Sequence, residues 1–148
     1  MLMLPRYHFL LGLIPSIAIT FINPWYGLLF LTGSFLIDFD HYMIYVLSLK
    51  DFSLRRAIKF FEEKIMLIAK KKKIMVFLPF HNIETFVFML IISAFIPVLY
   101  FLFFGMVFHY GLDLCYDYLI FKRFVREFSI IGYILRQDRF YLSKIKIN

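Results

Sequence analysis

The run IMVFLPFHNIETFVFMLIISAFIPVLYFLFFGMVFHYGLDLCYDYLIF, residues 74–121, sets the fold class: 48 consecutive positions carry neither Lys nor Arg, and most are apolar. At about 1.5 Å of rise per residue, such a run suffices for two crossings of a hydrocarbon layer about 30 Å thick. Pro97 is the natural break, because proline suits the first turn of a new helix and disfavours continuing the old one, with Gly105 as the rival position. Residues 7–49 form a second stretch free of Lys and Arg.

All 17 basic residues fall outside these stretches: Arg6, nine residues from Lys50 to Lys73, and seven from Lys122 to Lys146. Basic residues confined to alternate connections are the positive-inside pattern of two membrane hairpins with both termini in the cytoplasm. The sequence therefore predicts an all-α integral membrane bundle of four transmembrane helices, in one domain, with spans near 7–22, 25–49, 74–96 and 97–121. Residues 7–22 read as a span rather than a signal peptide, since Pro15 interrupts them and no small-x-small cleavage site follows. Residues 50–73 read as a basic amphipathic helix at the cytoplasmic surface between spans 2 and 3, and the tail from Lys122 onward as a segment along the interface.

Composition agrees. A hydrophobic content of 62% and a mean hydropathy of +0.79 exceed what one soluble core of 148 residues would bury. The net charge of +7 is read as facing anionic lipid headgroups, with membrane lipid as the partner and no nucleic acid. A lone cysteine, Cys115, excludes an intrachain disulfide and a Cys-based zinc site, so any metal must sit on histidines and carboxylates.

The acids carry the functional signal. Asp38, Asp40, Glu84, Asp113 and Asp117 lie within the stretches that lack Lys and Arg, as do all four histidines, His8, His41, His81 and His109. An ionised side chain at the centre of a bilayer costs about 2.5–3.5 kcal/mol even on the lenient insertion scale. With no basic residue in these stretches, the expectation is that a bound cation supplies the missing positive charge. His109, Asp113 and Asp117 follow an i, i+4, i+8 pattern, and Asp38 with His41 and His81 with Glu84 are i, i+3 pairs, so each set shares a helix face. Helix rise places Asp38 to His41 about 20–24 Å from the outer face and His109 to Asp117 about 18–30 Å from it, one common depth. His8, Asp40, His41, His81, His109, Asp113 and Asp117 are thus candidate metal ligands, for zinc or for manganese.

These residues also resemble a known family. An early His8, "LIDFDHY" at 36–42, "PFHNIET" at 79–85 and "FHYGLD" at 108–113 are similar, in order and type, to the motifs of YdjM-like inner-membrane metal-dependent hydrolases. The resemblance implies metal or catalytic roles for His8, Asp38, Asp40, His41, His81, His109 and Asp113, with Thr85 matching the family threonine. Where the family has a second histidine in the third motif, this chain has Phe86; Glu84 and Asp117 are the additional carboxylates nearby. The implied activity is hydrolysis of a lipid phosphodiester or ester at the cytoplasmic headgroup level of the cell membrane, with Asp38 or Glu84 as the general base. A proton or cation pathway and a non-enzymatic membrane module are the alternatives.

Overall fold

The computed structural model describes residues 5–65 and 76–135, whose regular elements are all helices apart from one isolated parallel bridge, Val76 to Arg126. Helix α1 (Pro5–Thr20) turns at Phe21–Asn23 into α2 (Pro24–Leu36). The Asn23 side chain accepts the Trp25 N–H at 2.9 Å, and Pro24 opens the helix, where its missing N–H costs nothing. After Ile37 and Asp38 the chain continues as α3 (Phe39–Leu49), so residues 25–49, expected as one span, are two helices broken at the first acidic motif. Lys50, at φ 56, ends α3 with a left-handed turn.

Helix α4 (Leu54–Lys59), capped by Ser53, runs into a π-helical turn (Phe60–Ile65); the rest of the expected amphipathic segment, 66–73, lies outside the described residues. A 3-10 turn (Pro79–His81) leads into α5 (Ile83–Phe95), so among the described residues of the expected span 74–96 the α-helix begins only at Ile83. Pro97 separates α5 from α6 (Leu99–Phe121), as its ring requires, whereas Gly105 lies inside α6. Lys122, at φ 54, stops α6, and the chain folds back before a short α7 (Ile130–Leu135).

Helices α2 and α6 form the centre, with α1 against α2 and α5 against α6. Their close approach depends on two glycines. A Cβ on Gly33 would collide with the Leu102 carbonyl, and one on Gly105 with the Phe30 carbonyl, so each helix presses its backbone onto the other's glycine. At one end, Tyr45, Ala57, Phe60, Phe61, Val76, Leu78 and Val125 make an apolar cluster that roofs the bundle.

The distribution of polarity is inverted relative to a water-soluble domain. Among the described residues, twelve buried side chains are polar or charged against eleven that are hydrophobic, so the interior is not a conventional oily core. The outer faces carry Leu10, Ile14, Ile17, Phe88, Ile91 and Phe95, all more than half exposed. Among the described residues, one helix, Leu99–Phe121, is long and apolar enough to cross a membrane; Ile83–Phe95 is apolar but shorter.

Candidate metal centre

Four elements bring His8, Asp38, His81, His109 and Asp113 together. His109 and Asp113 are one turn apart on α6, and Asp38 sits at the α2–α3 break. His81 ends the 3-10 turn, and His8 belongs to the first part of α1. One oxygen or nitrogen each from Asp38, His81, His109 and Asp113 lies within 4.8 Å of the others, a group that can hold a metal ion.

The hydrogen bonds behind the two imidazoles fix their tautomers. His109 Nδ1 lies 2.8 Å from the Ser34 carbonyl oxygen, which only accepts, so Nδ1 carries a proton, and in the neutral ring the lone pair is on Nε2. His81 Nδ1 lies 2.9 Å from Asp40 Oδ2, which also accepts the Phe80 N–H, and so donates in the same way. The two Nε2 atoms then face each other at 3.3 Å. Asp113 Oδ2 is 3.2 Å from His109 Nε2 and 3.3 Å from His81 Nε2, and Asp38 Oδ1 is 3.4 Å from His109 Nε2. Neutral imidazoles with both lone pairs directed at carboxylate oxygens repel unless a proton or cation lies between them. Asp113 Oδ2 is buried without a hydrogen-bond partner, which marks the position that cation would occupy.

His8 Nε2 lies 3.1 Å from Asp113 Oδ1, the oxygen that Arg126 also meets, and its ring stacks on His109 at 3.8 Å. A second group, Asp40, His41 and His81, adjoins the first. His41 Nδ1 is 2.9 Å from Asp40 Oδ1, and its ring meets Phe61 of the roof edge-on.

Two candidate carboxylates are held elsewhere. Glu84 accepts from Ser129 Oγ at 2.5 Å and from the N–H groups of Ile130 and Ile131, so it caps α7 rather than joining the histidines. Asp117 accepts the Val125 N–H at 3.3 Å and pairs with Arg126. Thr85 donates to the Pro79 carbonyl at 2.8 Å and closes the turn that presents His81. Phe86 packs with Ile37 and Met106, so an apolar contact stands where the resemblance would have a further histidine.

Arg126 corrects the expectation that no basic side chain reaches the buried acids. Its guanidinium is 2.8 Å from Asp113 Oδ1 and 3.2 Å from Asp117 Oδ1, and the residue is 1% exposed. It arrives because the chain beyond Lys122 does not stay on the surface. Val76 N donates to the Val125 carbonyl, Glu127 N to the Val76 carbonyl and Ile83 N to the Phe128 carbonyl, which straps residues 125–128 into the bundle. Positive-inside reasoning assigns basic clusters to the surface as a block. The local signal in this one was Arg126 set among Phe124, Val125 and Phe128.

Arg126 does not neutralise the centre by itself. Asp38, Asp40, Asp113 and Asp117 bring four negative charges when ionised and Arg126 returns one, with the histidines neutral. No family model, curated protein or solved structure matches the chain.

Proposed function

We propose that this chain is a multi-pass membrane protein that holds a divalent metal ion on Asp38, His81, His109 and Asp113 and hydrolyses a lipid phosphodiester or ester. The observation that carries the metal reading is the pair of facing Nε2 atoms, 3.3 Å apart and framed by two carboxylates, on rings whose Nδ1 atoms are both engaged. Two imidazoles with two carboxylates suit zinc, and manganese is the second candidate. A divalent ion there would supply Lewis acidity and a bound water with a pKa lowered to about 7.

The chain's own groups have definite parts in that reading. The Ser34 carbonyl and Asp40 hold the ligating imidazoles in the metal-binding tautomer. Arg126 and His8 engage Asp113 Oδ1 and leave Oδ2 for the ion. Asp38 Oδ1 is the ligating oxygen in this reading, and its Oδ2, buried without a hydrogen bond, is the atom left to accept a proton from water. Glu84, engaged by three donors on the α7 segment, is the weaker candidate for that role.

The lipid reading rests on the inverted distribution of polarity, on the basic clusters expected at cytoplasmic headgroup level, and on the order of motifs shared with YdjM-like hydrolases. The same features support a cell-membrane location with both termini cytoplasmic. The test is metal analysis of detergent-purified protein together with release of labelled headgroup from phospholipid vesicles. The proposal expects bound metal in the wild type, its loss in His109→Ala and Asp113→Ala, and headgroup release that a chelator abolishes. Metal without release would identify a metal-stabilised, non-enzymatic membrane module. Negligible metal in all three proteins would remove the reading altogether.

A further inference from the structure

Behind the four-residue group lies a second set of ligand atoms that the single-ion reading leaves unused. Asp40 is 1% exposed, and its Oδ1 is buried without a hydrogen-bond partner. His41 Nδ1 lies 2.9 Å from it, and that nitrogen too is buried without a well-aligned hydrogen bond. The two atoms pair at a distance that also lets both face one cation. Asp40's other oxygen is occupied, accepting from His81 Nδ1 and Phe80 N, so Oδ1 is the atom that remains available.

Asp38 connects this set to the first. Its Oδ1 is 3.4 Å from His41 Nδ1 and 3.4 Å from His109 Nε2, beside ligand atoms of both groups. The motif at Asp38, Asp40 and His41 straddles the break between α2 and α3, and that break lets side chains two and three positions apart converge.

Building on the metal reading above, we propose that Asp40 Oδ1, His41 Nδ1 and Asp38 bind a second divalent cation, making a binuclear centre in which Asp38 is shared. Charge supports this. The four aspartates and Arg126 leave three negative charges when the histidines are neutral. One dication leaves one charge uncompensated in the interior, whereas two dications with a hydroxide between them reach neutrality. Paired ions about 3.5–4 Å apart would clamp the attacking and leaving oxygens of a phosphodiester, the substrate class that gains most from a second ion.

The test strips the full-length protein in detergent with a chelator and titrates it with Mn²⁺ alone, reading bound equivalents and the electron paramagnetic resonance spectrum. The expected result is about two equivalents and the spin-coupled spectrum of a close Mn²⁺ pair. His41→Ala should retain about one equivalent and give the spectrum of an isolated ion. About one equivalent in the wild type, with an isolated-ion spectrum, would overturn the second position and leave the first standing. Two equivalents without coupling would overturn the sharing of Asp38, and no binding would overturn both readings. The coupled spectrum is read on the wild type, so the proposal stays testable even if His41→Ala does not fold.

Discussion

Replacing Arg126 with methionine keeps an apolar stem of similar length and removes the one positive charge found beside Asp113 and Asp117 among the described residues. At an effective dielectric of about 20, each contact is worth about 4 kcal/mol of Coulomb attraction, offset by the desolvation of the charges. Breaking a buried pair by deleting one partner costs about 3–5 kcal/mol, because the orphaned charge stays buried. Asp117 should suffer most, since it keeps only the Val125 N–H, while Asp113 keeps His8 and the histidines of the group. Chemical unfolding in detergent, followed by helical circular dichroism, is therefore expected to show a loss of about 3–5 kcal/mol for Arg126→Met in chelator-treated protein. Adding Asp117→Asn should recover part of it, a coupling of about 1–3 kcal/mol. Divalent metal should shrink the penalty, because an ion on Asp113 compensates the same charge. A loss under about 0.5 kcal/mol, the size of an ordinary surface change, or a loss unaffected by metal, would refute the reasoning.

Three further predictions follow from particular contacts. Glu84→Ala should loosen the start of α7 and speed hydrogen exchange at residues 129–133 with metal content unchanged, whereas loss of metal would return Glu84 to the centre. Gly105→Ala forces a Cβ onto the Phe30 carbonyl and strains the α2–α6 seam that holds Ser34 to His109, so it should cost about 1–3 kcal/mol and weaken metal binding about tenfold. Gly111→Ala, whose Cβ meets nothing, is the control and should be neutral or slightly stabilising. The third concerns Asp51, beyond the end of α3, where Arg56, then the Tyr45 hydroxyl and the Ser53 N–H, hold the carboxyl well below its ordinary 3.8. A depressed folded-state pKa gives stability that is complete above the ordinary value and is lost as pH falls through the folded one. Thermal midpoints of Asp51→Asn should accordingly lack that acid limb; parallel acid profiles for variant and wild type would contradict the assignment.

The grouping of Asp38, His81, His109 and Asp113 was legible because the sequence sets these acids and histidines in apolar stretches, where an ionised side chain is costly. Helix rise was expected to set His109 and Asp113 at the depth of Asp38 to His41. Hydropathy could not register the break at Ile37–Asp38, because apolar residues flank the short Asp38–His41 motif on both sides and the whole reads as one stretch. The late start of α5 follows from Pro79 and the Thr85 bond to its carbonyl, a local closure that hydropathy does not register. Arg126 stayed hidden for a different reason. Charge counting treats a basic cluster as a block, whereas backbone bonds to Val76 and Ile83 pull this arginine inward away from its neighbours. The same strap holds Ser129 at Glu84, so one tertiary feature accounts for the added cation and for the carboxylate that left the centre.

In the proposed function the facing His81 and His109 nitrogens hold a metal rather than a shared proton. X-ray absorption at the zinc edge, on protein purified in detergent and loaded with zinc, distinguishes the two. The expected spectrum has a first shell of nitrogen and oxygen at about 2.0–2.2 Å with the outer-shell scattering of imidazole, and that signature is lost in His109→Ala. A shell of water oxygens without imidazole, or a spectrum unchanged by His109→Ala, would contradict it.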